Sequence, residues 1–137
     1  MGVCATDVEV ANGRLEYYEQ GMAHFPIVPG HEYSGVLADT GPAARGLKKG
    51  QKVVGECAIG CGRCSACDVG EYYRCPRRQE VGVINKNGAY AHYLSIPAKY
   101  VHKLPADMPL KYGALVEPTA VCLKGLRKLT LEPGRNV

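Results

Sequence analysis

Apolar residues in this chain fall into short runs separated by proline and glycine, and no long helical repeat is present in the first hundred residues. β-branched, aromatic and alternating positions predict strands, and Pro, Gly and Asn-Gly steps predict the turns between them. The predicted strands cover residues 36–38, 52–58, 89–96 and 100–104. This spacing favours a small barrel or sandwich.

The last third of the chain is predicted to be helical. Residues 108–116 have short helical character, and the helix should break at Glu117 because a residue before proline is disfavoured in the α region. A second helix is predicted to start at Pro118 and to carry an apolar stripe of Val121, Cys122, Leu126 and Leu129. Residues 132–137 are predicted to form a turn that leads into a strand.

Composition narrows the class of protein. A length of 137 residues with 46% hydrophobic and 22% charged residues is typical of one folded domain, and no apolar run approaches the roughly 20 residues needed to cross a bilayer. The net charge of +4 would fall to about +2 with one zinc on four thiolates, which argues against nucleic-acid binding. Seven cysteines without an evident leader favour a reducing compartment, and we expect the cytoplasm.

Four cysteines are spaced C-x2-C-x2-C-x7-C, at Cys61, Cys64, Cys67 and Cys75. Two-residue gaps let a tight loop bring thiolates onto one ion, and zinc prefers four such ligands in a tetrahedron. The pattern therefore predicts a closed structural zinc site in a lobe covering residues 57–78. A disulfide knot or scattered core cysteines are the alternatives, and the absence of a secretory leader disfavours the knot.

A second group of candidate ligands is dispersed. Cys4 is followed closely by a hydroxyl and a carboxylate, although a lone cysteine near a terminus is more often a small packing residue. His31 and Glu32 follow a proline-glycine turn at the start of a predicted strand and are candidate metal ligands. Glu117, taken alone, is more often a solvated carboxylate at a helix start.

Three other cysteine and histidine residues are not expected to bind metal. Cys57 is interpreted as a packing residue, and His92 and His102 as surface or packing residues, because no ligand-type neighbours accompany them in the sequence.

Together these segments resemble the GroES-like catalytic domain of the zinc-dependent medium-chain alcohol and polyol dehydrogenases. Residues 2–7 resemble the family's catalytic-zinc cysteine segment, residues 30–32 its histidine segment, and the four-cysteine lobe its structural-zinc lobe. Residues 114–118 resemble the segment that supplies the last catalytic-site ligand. That ligand is a glutamate here, as in sorbitol-, threonine- and glucose-dehydrogenase-like members.

The resemblance implies a mainly β fold with short helices, a GroES-like partly open barrel with a zinc-binding lobe and no Rossmann domain. Residues 1–130 would form this domain, truncated at its N-terminal side, and residues 131–137 would begin the absent cofactor domain. No G-x-G-x-x-G motif occurs in the chain, so NAD or NADP is expected to bind only in the full-length parent enzyme.

The resemblance also assigns roles to individual residues. It places four ligands around a catalytic zinc: Cys4, His31, Glu32 and Glu117. Thr6 would relay the substrate proton, and Asp7 would orient His31. Glu9 stands where many relatives have the histidine that ends the relay, so the relay here would be either shorter or terminated by a carboxylate. The implied activity is oxidation of a secondary alcohol in a polyol, sugar or amino alcohol, and this piece is expected to be inactive alone.

Two other classes of function remain open from the sequence. A freestanding, non-catalytic zinc-binding module could form a homo-oligomer through an open sheet edge, because unpaired edges invite strand pairing. A zinc-ribbon nucleic-acid binder is the third hypothesis, which the modest charge disfavours. No membrane association is expected.

Overall fold

The strands form two small sheets that are connected by short helices and loops. The structure is a computed structural model that describes residues 1–129 and residue 134. The strands are β1 (Ser34–Val36), β2 (Lys52–Gly55), β3 (Ala58–Ile59), β4 (Gln79–Val81), β5 (Asn85–Lys86) and β6 (Val101–Lys103). The helices are α1 (Ala5–Ala11), α2 (Glu16–Glu19), α3 (Ser65–Asp68), α4 (Leu110–Gly113) and α5 (Val116–Leu126). Single 3₁₀ turns cover Tyr72–Arg74 and Ala98–Tyr100.

The first sheet has the order β1-β2-β6 and is antiparallel throughout. Its central strand fixes the register, because Val54 pairs with Ser34 on one side and with His102 on the other. The second sheet has the order β3-β4-β5, with an antiparallel pair followed by a parallel one. Neither sheet closes on itself among the described residues, so β1 and β6 remain edge strands.

The predicted strand over residues 52–58 is in fact two strands in different sheets. The backbone N–H of Glu56 donates to Tyr100 O at 2.9 Å, whereas Cys57 O accepts from Val81 N at 3.0 Å. Adjacent residues thus bond to opposite sheets, and the chain crosses between them at this point. The strand predicted at 36–38 is also displaced, since β1 covers Ser34–Val36.

The strand predicted over residues 89–96 is wrong, because this segment has no regular structure. Its first residues form hydrogen bonds with the loop that contains Pro29 and Gly30 instead. Ala89 N donates to Gly30 O at 2.8 Å, and Tyr90 N donates to Pro29 O at 3.1 Å. Proline has no N–H to donate in return, so a full ladder cannot form. Leu94 and Ile96 nevertheless pack against the core, which accounts for the alternating pattern.

The helix predicted to begin at Pro118 begins two residues earlier, at Val116, and the break lies at Ala114 and Leu115. The first N–H groups of a helix have no partner within it, so proline is tolerated in the first turn. Helices α1 and α2 and strands β4 and β5 had no counterpart in the predictions. The predicted turn and strand at 132–137 lie outside the described residues except for Gly134, which is in a turn.

Most of the buried apolar side chains in the described residues fall into two clusters. Aromatic and branched side chains between the sheets form the larger one, and small or branched residues near α2 form the other. The first contains Tyr33, Ile59, Val81, Ala89 and Tyr100, and the second Ala23, Val83 and Ile84. A cleft of about 690 Å³ lies beside the first sheet and is lined in part by Tyr33, Val54 and Leu94. The expected architecture, a partly open barrel with short helices, is therefore confirmed.

Candidate metal centres

The four cysteines of the lobe converge on one point. Their sulfur atoms all lie within 4.8 Å of one another, and only Cys75 among them is fully buried. Cys64 directly precedes α3, Cys67 lies within it, and Cys75 follows the 3₁₀ turn at Tyr72–Arg74. Short helical turns therefore bring residues that are distant along the loop onto the same centre.

The lobe stabilises negative charge on two of its four sulfur atoms. Cys61 N donates to Cys75 Sγ at 3.4 Å, and Gly62 N donates to Cys67 Sγ at 3.3 Å. A backbone hydrogen bond, with help from Arg77, lowers the pKa of Cys61 to about 6. A backbone hydrogen bond from Cys61 likewise lowers the pKa of Cys75. At Cys64 a backbone hydrogen bond from Cys67 lowers the pKa, but burial and side-chain hydrogen bonds with the other cysteines outweigh it and raise the pKa to about 11. Thiolates are the form that binds metal, so this environment favours a cation at the centre of the lobe.

The sulfur donor set of the lobe fits zinc. Four thiolates within reach of one ion, without an open position for water or substrate, are typical of a structural zinc site. The spacing of the cysteines predicted this arrangement, and the structure places all four of them together.

A second cluster joins residues that are far apart in the sequence. Donor atoms of Cys4, His31 and Glu32 lie within 4.8 Å of one another. Cys4 directly precedes α1, whereas His31 and Glu32 directly follow Gly30, which has a positive φ. Gly2 N donates to Glu32 O at 2.8 Å, which holds the two segments side by side. One thiolate, one imidazole and one carboxylate form a donor set that suits zinc with a position left for another ligand.

A buried carboxylate, Asp7, links the two segments of this cluster. It accepts hydrogen bonds from Cys4 N and Gly30 N, each at 2.9 Å, and it is only 4% exposed. Its Oδ1 atom lies 3.3 Å from Nδ1 of His31, and the two atoms are in contact without the alignment of a hydrogen bond. A carboxylate in this position orients an imidazole so that the other ring nitrogen can bind metal.

The predicted relay residues occupy α1. Thr6 Oγ1 lies 3.8 Å from Cys4 Sγ and is partly exposed, so its hydroxyl lies at the edge of the cluster. Glu9 is exposed one turn further along the helix, and no side-chain hydrogen bond joins it to Thr6 in the described part of the chain. Both residues are thus near the cluster, and only Thr6 touches it.

Glu117 lies near the cluster but outside the group of atoms within 4.8 Å. Partial burial raises its pKa, the neighbouring His31 opposes that rise, and the carboxylate of Glu32 adds to it. Glu117, in the first turn of α5, therefore lies close enough to His31 and Glu32 for their charges to shift its pKa.

The structure also reveals a residue that the sequence did not single out. Tyr90 Oη lies 3.0 Å from Asp7 Oδ2 and 3.2 Å from Gly2 O. Partial burial of a residue that remains 36% exposed, together with the hydrogen bond to Asp7, raises the pKa of Tyr90 to about 12, which keeps the phenol protonated. Gly30 has φ +98 and lies against the Tyr90 ring. A tyrosine in an alternating segment is not distinctive, so only the folded structure shows this contact.

The remaining predicted residues are accounted for. Cys57 is partly buried, its thiol approaches Val81 O at 3.8 Å, and burial raises its pKa to about 12. His92 is exposed, and His102 is exposed with its Nε2 atom 2.8 Å from Glu56 Oε1.

No helix in the described residues is long and apolar enough to cross a membrane.

Comparison with known families adds an independent finding. Residues 1–106 match the model of the alcohol dehydrogenase GroES-like domain. A protein named Probable D-xylulose reductase A, from Aspergillus clavatus, is 36% identical over 99% of this chain and 37% of its own length. The L-threonine 3-dehydrogenase of Shewanella frigidimarina is 39% identical over 85% of this chain and 33% of its own length.

Solved structures give the same result. A zinc-binding dehydrogenase from Sinorhizobium meliloti 1021, bound to NADP, superimposes with a TM-score of 0.84 at 30% identity, over 97% of this chain and 37% of its own. Galactitol-1-phosphate dehydrogenase from Escherichia coli gives a TM-score of 0.74 at 31% identity, over 89% and 33%. The chain thus spans about a third of the length of these relatives.

Proposed function

Because this chain belongs to the zinc-dependent medium-chain alcohol dehydrogenase family, as its GroES-like domain, we propose that it forms the zinc-binding half of an NAD(P)-linked dehydrogenase. The substrate we propose is a small alcohol, oxidised at a secondary carbon of a polyol, sugar or amino alcohol. Relatives named for xylulose, threonine and galactitol 1-phosphate support this class.

The observation that supports the proposal most strongly is the cluster of Cys4, His31 and Glu32 around the buried carboxylate of Asp7. Structural zinc sites usually have four protein ligands, often all cysteines, that leave no position open, whereas this cluster mixes a thiolate, an imidazole and a carboxylate. A mixed set with a carboxylate at the edge leaves room for an exchangeable ligand. We propose Glu117 as the fourth member, because it is partly buried and its pKa responds to the charges of both His31 and Glu32.

The chemistry divides between the metal and the chain. A zinc ion held there would lower the pKa of an alcohol hydroxyl and stabilise the negative charge that develops on its oxygen. The hydroxyl of Thr6 would accept the substrate proton and pass it outward, towards Glu9 at the exposed end of the helix. Asp7 would hold His31 in one tautomer throughout.

The organisation of the complete protein is also a proposal. We assign residues 1–130 to the catalytic domain, with the zinc lobe at 57–78, and residues 131–137 to the start of a cofactor domain, a segment that lies almost wholly outside the described residues. NAD or NADP would bind to that further domain, so residues 1–137 alone would be inactive. We place the enzyme in the cytoplasm, without nucleic-acid partners, and propose β1 and β6 as edges available for pairing between copies.

The experiment that tests the proposal restores a complete enzyme. The chain is joined to the remaining segments of the threonine or xylulose relative, and oxidation of polyols and amino alcohols is followed through NADH or NADPH. We expect turnover that depends on zinc. Cys4→Ala and Glu117→Ala should each lower the turnover rate by roughly 100-fold or more. Full activity in both variants would remove these residues from the catalytic site.

A further inference from the structure

We propose that Tyr90 is a positioning residue for the second metal site and acts through Asp7. This inference rests on the proposed function, because it assumes that Cys4, His31 and Glu32 bind metal. The Tyr90 hydroxyl has one proton and two acceptors in reach: Asp7 Oδ2 at 3.0 Å and Gly2 O at 3.2 Å. The hydroxyl donates to the Asp7 carboxylate rather than to the Gly2 carbonyl, since a charged acceptor forms the stronger hydrogen bond.

The ring of Tyr90 is held in place by the loop that carries His31. A Cβ atom at Gly30 would come within 2.7 Å of Tyr90 Cδ1, so only glycine allows the ring to approach this closely. Tyr90 N also donates to Pro29 O at 3.1 Å. Both the ring and the backbone of Tyr90 are therefore fixed against the segment that supplies the histidine ligand.

Asp7 consequently receives donors from three separate parts of the chain. Cys4 N and Gly30 N come from the two segments that carry the ligands, and Tyr90 Oη comes from a third segment. Without the phenol, Oδ2 would keep only the bond from Cys4 N, and the carboxylate could rotate away from His31 Nδ1. Loss of such an outer hydrogen bond weakens metal binding, commonly by about 10- to 100-fold.

The test removes only the hydroxyl, in Tyr90→Phe. Tyr93→Phe is the matched control, because Tyr93 lies three residues away, is 82% exposed and makes no hydrogen bond in the described structure. Zinc affinity of the second site is measured by chelator competition on chains that retain zinc in the cysteine lobe. The absorption spectrum of cobalt(II) substituted into the second site reports ligand geometry, and urea unfolding reports stability.

We expect zinc affinity at the second site to fall about 10- to 100-fold in Tyr90→Phe, with an altered cobalt spectrum and an unchanged lobe, while Tyr93→Phe resembles the wild type. Equal affinity and spectra in the two variants would overturn the proposal. A lower unfolding midpoint in Tyr90→Phe, without a change in affinity, would also overturn it and show a purely structural role. A wild-type chain that binds no second ion would refute both this role and the proposed site.

Discussion

Replacement of Asp7 by asparagine tests how far one buried carboxylate holds the second site together. Asp7 is 4% exposed and accepts from two backbone N–H groups at 2.9 Å and from the Tyr90 hydroxyl at 3.0 Å. Asparagine keeps one oxygen and presents an amide NH₂ where the other stood. One of the two backbone donors, on Cys4 or Gly30, must then face another donor.

The cost follows from these contacts. A buried donor left unsatisfied costs about 1–3 kcal/mol, and hydrogen bonds to a charged acceptor contribute about 1.5–3 kcal/mol net. The two terms overlap, because the same bond is counted in both. We therefore expect Asp7→Asn to lower the free energy of unfolding by about 3 kcal/mol.

Urea unfolding of the chain with zinc retained in the lobe measures this loss as a lower midpoint at unchanged slope. Asp107→Asn is the control, because Asp107 is exposed and makes no side-chain hydrogen bond in the described structure, so its change should stay within about 0.5 kcal/mol. If the two variants unfolded at the same midpoint, the carboxylate would not be the link between the segments of Cys4 and His31.

Three further predictions follow from the two sites. Cys64→Ser should impair folding, because structural zinc contributes on the order of 10 kcal/mol to the free energy of folding. His31→Ala should leave the lobe folded. Equal loss of thermal stability in the two variants would contradict the division into a structural and a catalytic site. Partial burial raises the pKa of Glu117 in the folded chain above its ordinary value of about 4.5. The protonated carboxyl therefore stabilises the fold fully below pH 4.5, and this stabilisation is lost as the pH rises through the folded-state pKa. Glu117→Gln should therefore stabilise the chain at neutral pH without metal in the second site, and lose that advantage at low pH; pH-independent unfolding differences would refute this reasoning. Finally, calorimetry of residues 1–137 should detect no NAD or NADP binding, and micromolar binding would overturn the division of labour between domains.

The sequence could predict the cysteine lobe because its ligands are local. Spacings of two and seven residues confine four thiols to one loop, so chemistry and chain geometry give the same answer before folding is considered. The second cluster is different. Cys4 and His31 are brought together by a loop and by Asp7, and only the resemblance to a family connected them in advance.

The errors in the predicted strands have a common cause, which is that strand pairing depends on the partner. Residues 89–96 alternate correctly, yet the facing segment contains Pro29 and cannot complete a ladder. Residues 52–58 have uniform β character, yet Glu56 and Cys57 bond to different sheets. Tyr90 was missed for the same reason, since its role depends on contacts with Gly30 and Asp7.

The most direct test of the account is a zinc count on three proteins purified without chelator. Elemental analysis of the wild-type chain should approach two zinc ions per chain at saturation, because the described part of the chain offers two clusters of donor atoms. Cys4→Ala should approach one ion, held in the cysteine lobe, and Tyr93→Phe should match the wild type. A wild-type chain that binds one zinc, or a Cys4→Ala chain that still binds two, would contradict the assignment of Cys4, His31 and Glu32 to a metal site.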